Sequence, residues 1–374
     1  MQALKGITVL DFSHVVAGPL ATHFLALNGA RVIKVEPPRG DPLRNYTANR
    51  DELGMAPAFR GINLGKESVV LDLKTETGRQ EALRLAAEAD VLVENFRPGV
   101  LARLGLGPEA LKAANPRLIR CSISGFGQSG PMAQVPAIDQ IVQSLSGLMR
   151  LSGHEGDPAM RVGFPLVDTF TGLLSAFAIM TAITQQLRSP DPQGQEIDVA
   201  MLDATLVMLL SVVNPMLMTG EQPHRTGNRG FSRAPTADTF ACQDGEITTG
   251  AVEEVHVNRM LKVLGLTHLL ENPAYADRMA RLKNADAMHV ELARAFATQP
   301  AAYWEKHLQE AGVAAARVLE VRQAIALPHL QDRDLFLDVT GGPALNAGFR
   351  FARGGPGIAA PAPELGTGQT GPDE

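Results

Sequence analysis

Residues 7–36 read ITVLDFSHVVAGPLATHFLALNGARVIKVE. Two short β-branched runs, Ile7–Phe12 and Arg31–Glu36, flank a segment of helical spacing that Pro19 opens and Gly29 closes. Pro suits a first helical turn, where its missing N–H would have no intrahelical partner, and Gly supplies the left-handed backbone that ends a helix. Strand, crossover helix and strand at this spacing make a βαβ unit, whose two strands run parallel in one sheet. The pattern recurs along the chain. Ser68–Leu73, Asp90–Phe96 and Leu118–Ser124 read as further strands, and Thr75 caps a helix from Glu76 to Ala89. A long apolar helix, Thr169–Leu187, then precedes a strand at Gln195–Ala200 that leads into a Met/Leu/Val-rich helix. The fold class is therefore α/β, doubly wound around a parallel sheet.

The whole chain has 374 residues, well beyond the roughly 150 of an average domain, so two domains are expected. The pattern changes after Gly220, where residues 220–230 are polar and Gly-rich, and this marks a hinge. Beyond it Thr239–Cys242 and Glu246–Thr249, joined by Gln243-Asp244-Gly245, form a hairpin, and helices follow through Ala311. This reading makes residues 1–200 a large domain, 201–224 a linker helix and hinge, and 225–329 a small α+β domain. The tail from Gly341 is Gly/Pro/Ala-rich without periodicity and reads as extended.

The 34 Lys and Arg against 40 Asp and Glu give a net charge of −6, with no long basic run to meet a nucleic-acid backbone. Cys121 and Cys242 lack a C-x-x-C neighbour, which supports neither a disulfide framework nor a structural zinc site and makes a reducing cytoplasm the expected compartment. The longest apolar stretch, around Gly172–Ile183, is shorter than the ~20 residues of a membrane span, so a soluble protein is expected.

Gly125-Phe-Gly127-Gln-Ser-Gly130 matches G-x-G-x-x-G, but Pro131 and Pro136 follow at once and no strand ending in an acid appears about 20 residues on. NAD is not expected there, although a Gly-rich loop still lets backbone N–H groups approach an anion or a reacting carbonyl. The nine histidines show no metal spacing, and no G-x-S-x-G elbow occurs. His14 stands just past the first strand, where α/β sheets present ligands; it is either a site residue or a helix-entry residue bonded to backbone. Asp168 follows the apolar run Val162–Val167 and precedes the apolar helix. It is either an N-cap, or a carboxylate nucleophile held drier than bulk at a helix start.

Several segments together resemble one family. Leu4–Phe12 with Ala17-Gly18-Pro19, Gly29–Pro38, Asn63-Leu-Gly-Lys66, Leu71-Asp-Leu-Lys74, Asp90–Gly99, Gly125-Phe-Gly127-Gln, Asp168, Gly194–Val199, Gly227-Asn228, Asp244-Gly245 and Ala311-Gly312-Val313 are similar to the class III CoA-transferases. That family includes the formyl-CoA and carnitine CoA-transferases, and α-methylacyl-CoA racemases share its fold. The resemblance implies a Rossmann-like large domain completed by residues 330–374, a smaller middle domain and an interlocked homodimer.

It further implies that Asp168 attacks an acyl-CoA thioester and carries the acyl anhydride and then CoA itself. Coenzyme A is thus a substrate, with no metal or NAD, and the partners are acyl-CoA and a carboxylic acid. By the same resemblance His14, Val16, Ala17, Gly18, Gly125, Gly127, Ile138 and Glu253 lie at the substrate end of the site. Lys34, Arg39, Leu73, Lys74, Asn95, Phe96, Arg97 and Arg103 would line the CoA end. Ile138 before Asp139 stands where the racemases carry a histidine base, which favours transfer, while Glu253 matches a racemase glutamate and keeps open an epimerase acting through Asp168 and Glu253. Val16 replaces a glutamine of formyl-CoA transferase, which argues against a formyl or oxalate substrate. A non-catalytic CoA-binding subunit is the third reading.

Overall fold

The structure is a computed structural model that describes residues 2–51 and 53–368. Six parallel strands, β1 (Thr8–Asp11), β2 (Arg31–Glu36), β3 (Glu67–Val70), β4 (Val91–Glu94), β5 (Ile119–Ser124) and β6 (Glu196–Ala200), form one sheet in the order β3-β2-β1-β4-β5-β6. Both faces are covered, so strand residues of both faces are buried, the polar Lys34, Ser68 and Ser122 among them. Val9, Val32, Val91, Val93 and Ile123 face helices Ala17–Leu27 and Leu166–Leu187. Leu10, Ile33, Val35, Val69 and Leu92 face the other way, toward helix Glu76–Glu88. The first two helices pack closely because residue 172 is Gly: a Cβ there would lie 2.7 Å from the carbonyl oxygen of Ala17.

The chain leaves β1 toward β2 on one side and enters β4 on the other. The crevice at the carboxyl ends of β1 and β4 is therefore the topological switch point, where open α/β sheets bind ligands. Two boundaries depart from the sequence reading by three residues. β3 ends at Val70 because Asp72 folds the following residues into a turn, accepting the Lys74 N–H at 3.0 Å. The apolar helix starts at Leu166, not Thr169, for a reason described below.

The described residues up to 149, residues 161–221 and those from 328 onward form one compact unit, which includes the helices Met201–Met208 and Leu210–Thr219 expected as a linker. Residues 150–160 and 222–327 form the second. Its antiparallel sheet pairs β7 (Thr239–Ala241), β8 (Glu246–Thr249) and β9 (Ala315–Arg317). Phe240, Ile247, Met288, Phe296 and Trp304 fill its core. The strand β9 was not anticipated, since three residues give no alternation to read. Helix Leu166–Leu187 reaches the length and apolarity of a membrane span, beyond what the sequence reading allowed, and its buried face packs into the first unit's core.

Candidate active site

A cleft of about 530 Å³ opens at the switch point, within the first unit. Of the residues singled out from sequence, His14, Val16, Ala17, Asn95, Phe96, Arg97, Gly125, Ile138 and Asp168 line it. The turn after β1 is fixed to the turn after β4 by a reciprocal pair: the His14 N–H donates to Asn95 Oδ1 and Asn95 Nδ2 donates to the His14 carbonyl, both at 2.8 Å. The His14 ring meets Phe96 edge-on at 5.5 Å. Its burial, reinforced by the Lys34 charge, holds the imidazole below its ordinary value and favours the neutral form.

Beneath this turn lies a buried charge network. Lys66 Nζ donates to Asp11 Oδ2, Thr22 Oγ1, Asn63 Oδ1 and the Pro19 carbonyl, all within 3.2 Å. Lys34 Nζ pairs with Asp41 at 2.9 Å and donates to the Ser13 carbonyl at 2.7 Å, and Arg44 grips Glu36 bidentately. Three cations thus face three carboxylates. Burial alone would raise the Asp11 carboxyl, but the Lys66 and Lys34 charges with bonds from Ser13 and Thr22 hold it far below the usual range. Asp41 in turn accepts the Val15 N–H, stabilising that β-branched residue at φ 68°, a left-handed conformation it rarely adopts. Val15 lines the cleft, so the strain sits at the site.

Lys34 is therefore not a CoA ligand: it is wholly buried and its ammonium is taken by Asp41 and Ser13. Gly18 is a packing residue, buried where a side chain would collide with Ser13. Gly127, at φ 87°, lies outside the cleft lining. Its N–H is taken by Ser124 Oγ and that of Gln128 by Asp198, so these two backbone groups are not free to serve as oxyanion donors. The loop runs into turns, and the next helix is Asp139–Leu145, so it does not open a helix as a dinucleotide fingerprint must. Arg39, Leu73, Lys74 and Arg103 stand outside the cleft lining, on the connections that leave the carboxyl ends of β2, β3 and β4. Glu253 is exposed in the second unit, just ahead of helix Glu254–Val263. Among the described residues no cluster of three His, Cys, Asp or Glu could hold a metal ion.

Asp168 occupies the first turn of helix Leu166–Leu187, and it is not the cap. That task falls to Asp139, whose Oδ2 accepts the N–H groups of Val167 at 2.8 Å and Asp168 at 3.1 Å. The helix begins where this remote carboxylate receives it, and the Asp168 side chain is released from capping. Among the described residues nothing donates to its oxygens. Burial, and after it the Asp139 charge, push its carboxyl up to about 7. A carboxylate of that basicity, unpartnered and half-buried in a cleft, is suited to attack an electrophilic carbonyl.

The family of CoA-transferase family III matches residues 4–369 of this sequence. The chain belongs to that family. This CoA-transferase is 39% identical to an acetyl-CoA:oxalate CoA-transferase of Acetobacter aceti, across 89% of this chain and 85% of that protein. It is 35% identical to a succinate–glutarate CoA-transferase of Agrobacterium fabrum, across 90% and 85%. A CaiB/BaiF family protein from Brucella suis superposes with a TM-score of 0.90 at 32% identity, over 98% of this chain and 97% of that one.

Proposed function

We propose that this enzyme moves CoA from an acyl-CoA to an acceptor carboxylic acid through covalent intermediates on Asp168. The observation that carries this reading is the unpartnered Asp168 carboxylate in the cleft at the switch point. An Asp168 oxygen attacks the thioester carbon, the C–S bond breaks and CoA leaves as thiolate, giving a mixed anhydride. The thiolate attacks the aspartyl carbonyl of that anhydride and expels the donor acid, leaving CoA as a thioester on Asp168. An acceptor carboxylate displaces the thiolate to form a second anhydride, and thiolate attack on the acceptor's carbonyl frees Asp168. The acyl bond stays activated throughout, so no ATP is needed, but water must be kept from the intermediates. Phe96, Val16, Ile138 and Phe164 supply apolar walls for that purpose.

For CoA, Asn95, Phe96 and Arg97 in the cleft and Arg39, Leu73, Lys74 and Arg103 on the neighbouring connections form one group at the carboxyl ends of β2–β4. Guanidinium and ammonium groups there answer the phosphates. The names of the relatives pair CoA with oxalate, succinate and glutarate, which supports small dicarboxylic acids as substrates. A homodimer is supported by helix Leu210–Thr219, an apolar helix with no buried residue, where Leu217 and Met218 are 73% and 82% exposed. We place the enzyme in the cytoplasm on its two unpaired cysteines.

The test is to incubate the enzyme with an acyl-CoA panel, quench with hydroxylamine and map the adduct by mass spectrometry. A hydroxamate at Asp168, and no exchange by Asp168→Ala, are expected. Full transferase rate in that variant would reject the mechanism.

A further inference from the structure

Two guanidinium groups line the Asp168 cleft, those of Arg97 and Arg161. Both residues are exposed, and among the described residues neither has a hydrogen-bond or ion-pair partner. Arg97 follows β4 beside Asn95 and Phe96, in the group assigned above to CoA. Arg161 stands elsewhere, on the segment that leads into the helix of the nucleophile.

Both ends of that segment are tied to one hydrogen-bonded relay. The N–H of Val162, next to Arg161, donates to Gln143 Oε1 at 2.9 Å. Gln143 is buried, and its Nε2 donates to Asp139 Oδ1 at 2.6 Å. The other oxygen of Asp139 receives the N–H groups of Val167 and Asp168. Helix Asp139–Leu145 therefore fixes the backbone beside Arg161 and the backbone of Asp168 in one register, while the guanidinium itself is left unused.

The chemistry of the cleft says what that group would meet. Among the described residues the remaining charged or titratable groups of its lining are His14, Tyr46, Asp139 and Asp168, of which the two carboxylates repel an incoming acid. An acceptor with one carboxylate uses it on the aspartyl thioester and has nothing left for a cation. An acceptor with two must bring the second into the same cleft, where it stays stable only if paired. The planar fork of Arg binds a carboxylate with two parallel bonds and fixes its direction as well as its charge.

We infer that Arg161 binds the remote carboxylate of a dicarboxylic substrate and so sets the enzyme's preference for diacids over monoacids. This rests on Asp168 being the covalent centre. The experiment compares wild type, Arg161→Gln and Arg161→Lys in the full-length enzyme, with acetyl-CoA as donor. The acceptors are malonate, succinate and glutarate, each set against the straight-chain monocarboxylic acid of equal carbon number. The glutamine variant is expected to raise KM for the best diacid by about ten- to a hundredfold, the scale of a lost charge-assisted pair. KM for acetyl-CoA and kcat/KM for the monoacids should change less than about twofold, since neither has a group to meet Arg161. The lysine variant should fall between, keeping charge without the fork. Equal losses on diacids and monoacids, a loss confined to acetyl-CoA, or no loss at all would overturn the assignment while leaving transfer intact. Mapping of the Asp168 adduct in the same samples separates the two readings: without an adduct in wild type, the covalent mechanism and the Arg161 assignment fall together.

Discussion

Replacing the proposed nucleophile by its uncharged isostere, Asp168→Asn, should stabilise the protein at and above neutral pH while abolishing transfer. The folded protein raises this carboxyl from 3.8 to about 7. At ~1.36 kcal/mol per pH unit, keeping it ionised costs about 4 kcal/mol. The sign follows from proton binding: between these two values the folded chain binds more protons than the unfolded one, so stability declines as pH rises through about 7. Below about pH 4 both states are protonated and the penalty vanishes. Two effects reduce the figure. The side chain keeps some contact with water, and an anion in a first helical turn gains up to about 1 kcal/mol from the helix dipole. The asparagine loses no hydrogen bond, because among the described residues nothing donates to the Asp168 oxygens. A gain of about 2–3 kcal/mol at pH 8, shrinking to nothing near pH 4, is therefore expected. Urea unfolding of wild type and variant at intervals between these limits reads it directly. A variant no more stable than wild type at pH 8, or a gain independent of pH, would show that the carboxyl is not held in a disfavoured ionised state.

The partner carboxylate gives a related expectation: Asp139→Asn keeps an oxygen to receive the helix N–H groups but removes the charge, so the acidic limb of kcat/KM should move to lower pH. An unmoved limb in a pH–rate profile would assign Asp139 to capping alone. Lys66→Met leaves Asp11 buried without its main cation and should cost about 3–5 kcal/mol in urea unfolding; a loss below 1 kcal/mol would contradict the network described here. Gly172→Ala, although a better helix former, places a methyl 2.7 Å from the Ala17 carbonyl and should lower stability by about 1–3 kcal/mol. Thermal melts that show a gain would mean the two helices can separate freely.

The sheet was legible in the sequence because short β-branched runs alternate with segments of helical spacing, and Arg31–Glu36 was recovered to the residue. What failed were features set by partners distant in sequence. The helix carrying Asp168 starts three residues early because its cap lies 29 residues away, at Asp139, and local capping patterns cannot reveal it. Lys34 read as a CoA ligand through the resemblance to the family, whereas its register beside β1 brings it to Asp41 and Ser13. Gly18 falls at a family position for the site, but its reason is the neighbouring Ser13. The strain at Val15 has no sequence signal, since the residue type argues against it. Arg161 carried none either; its place in the cleft lining, beside the Val162 N–H that Gln143 holds, distinguishes it from other surface arginines.

β3 is the outermost strand on one side of the sheet, and what meets it there comes from far along the chain: the N–H of Gly368 donates to the Ser68 carbonyl, and that of Gly366 to Ser68 Oγ across 298 residues. During synthesis this edge is thus left open until residue 368 has been made, a template on which a neighbouring nascent chain can add a strand. Shortening the polypeptide before residue 366 should consequently affect solubility more than secondary-structure content, and attaching a bulky fusion close behind residue 368 carries the same risk.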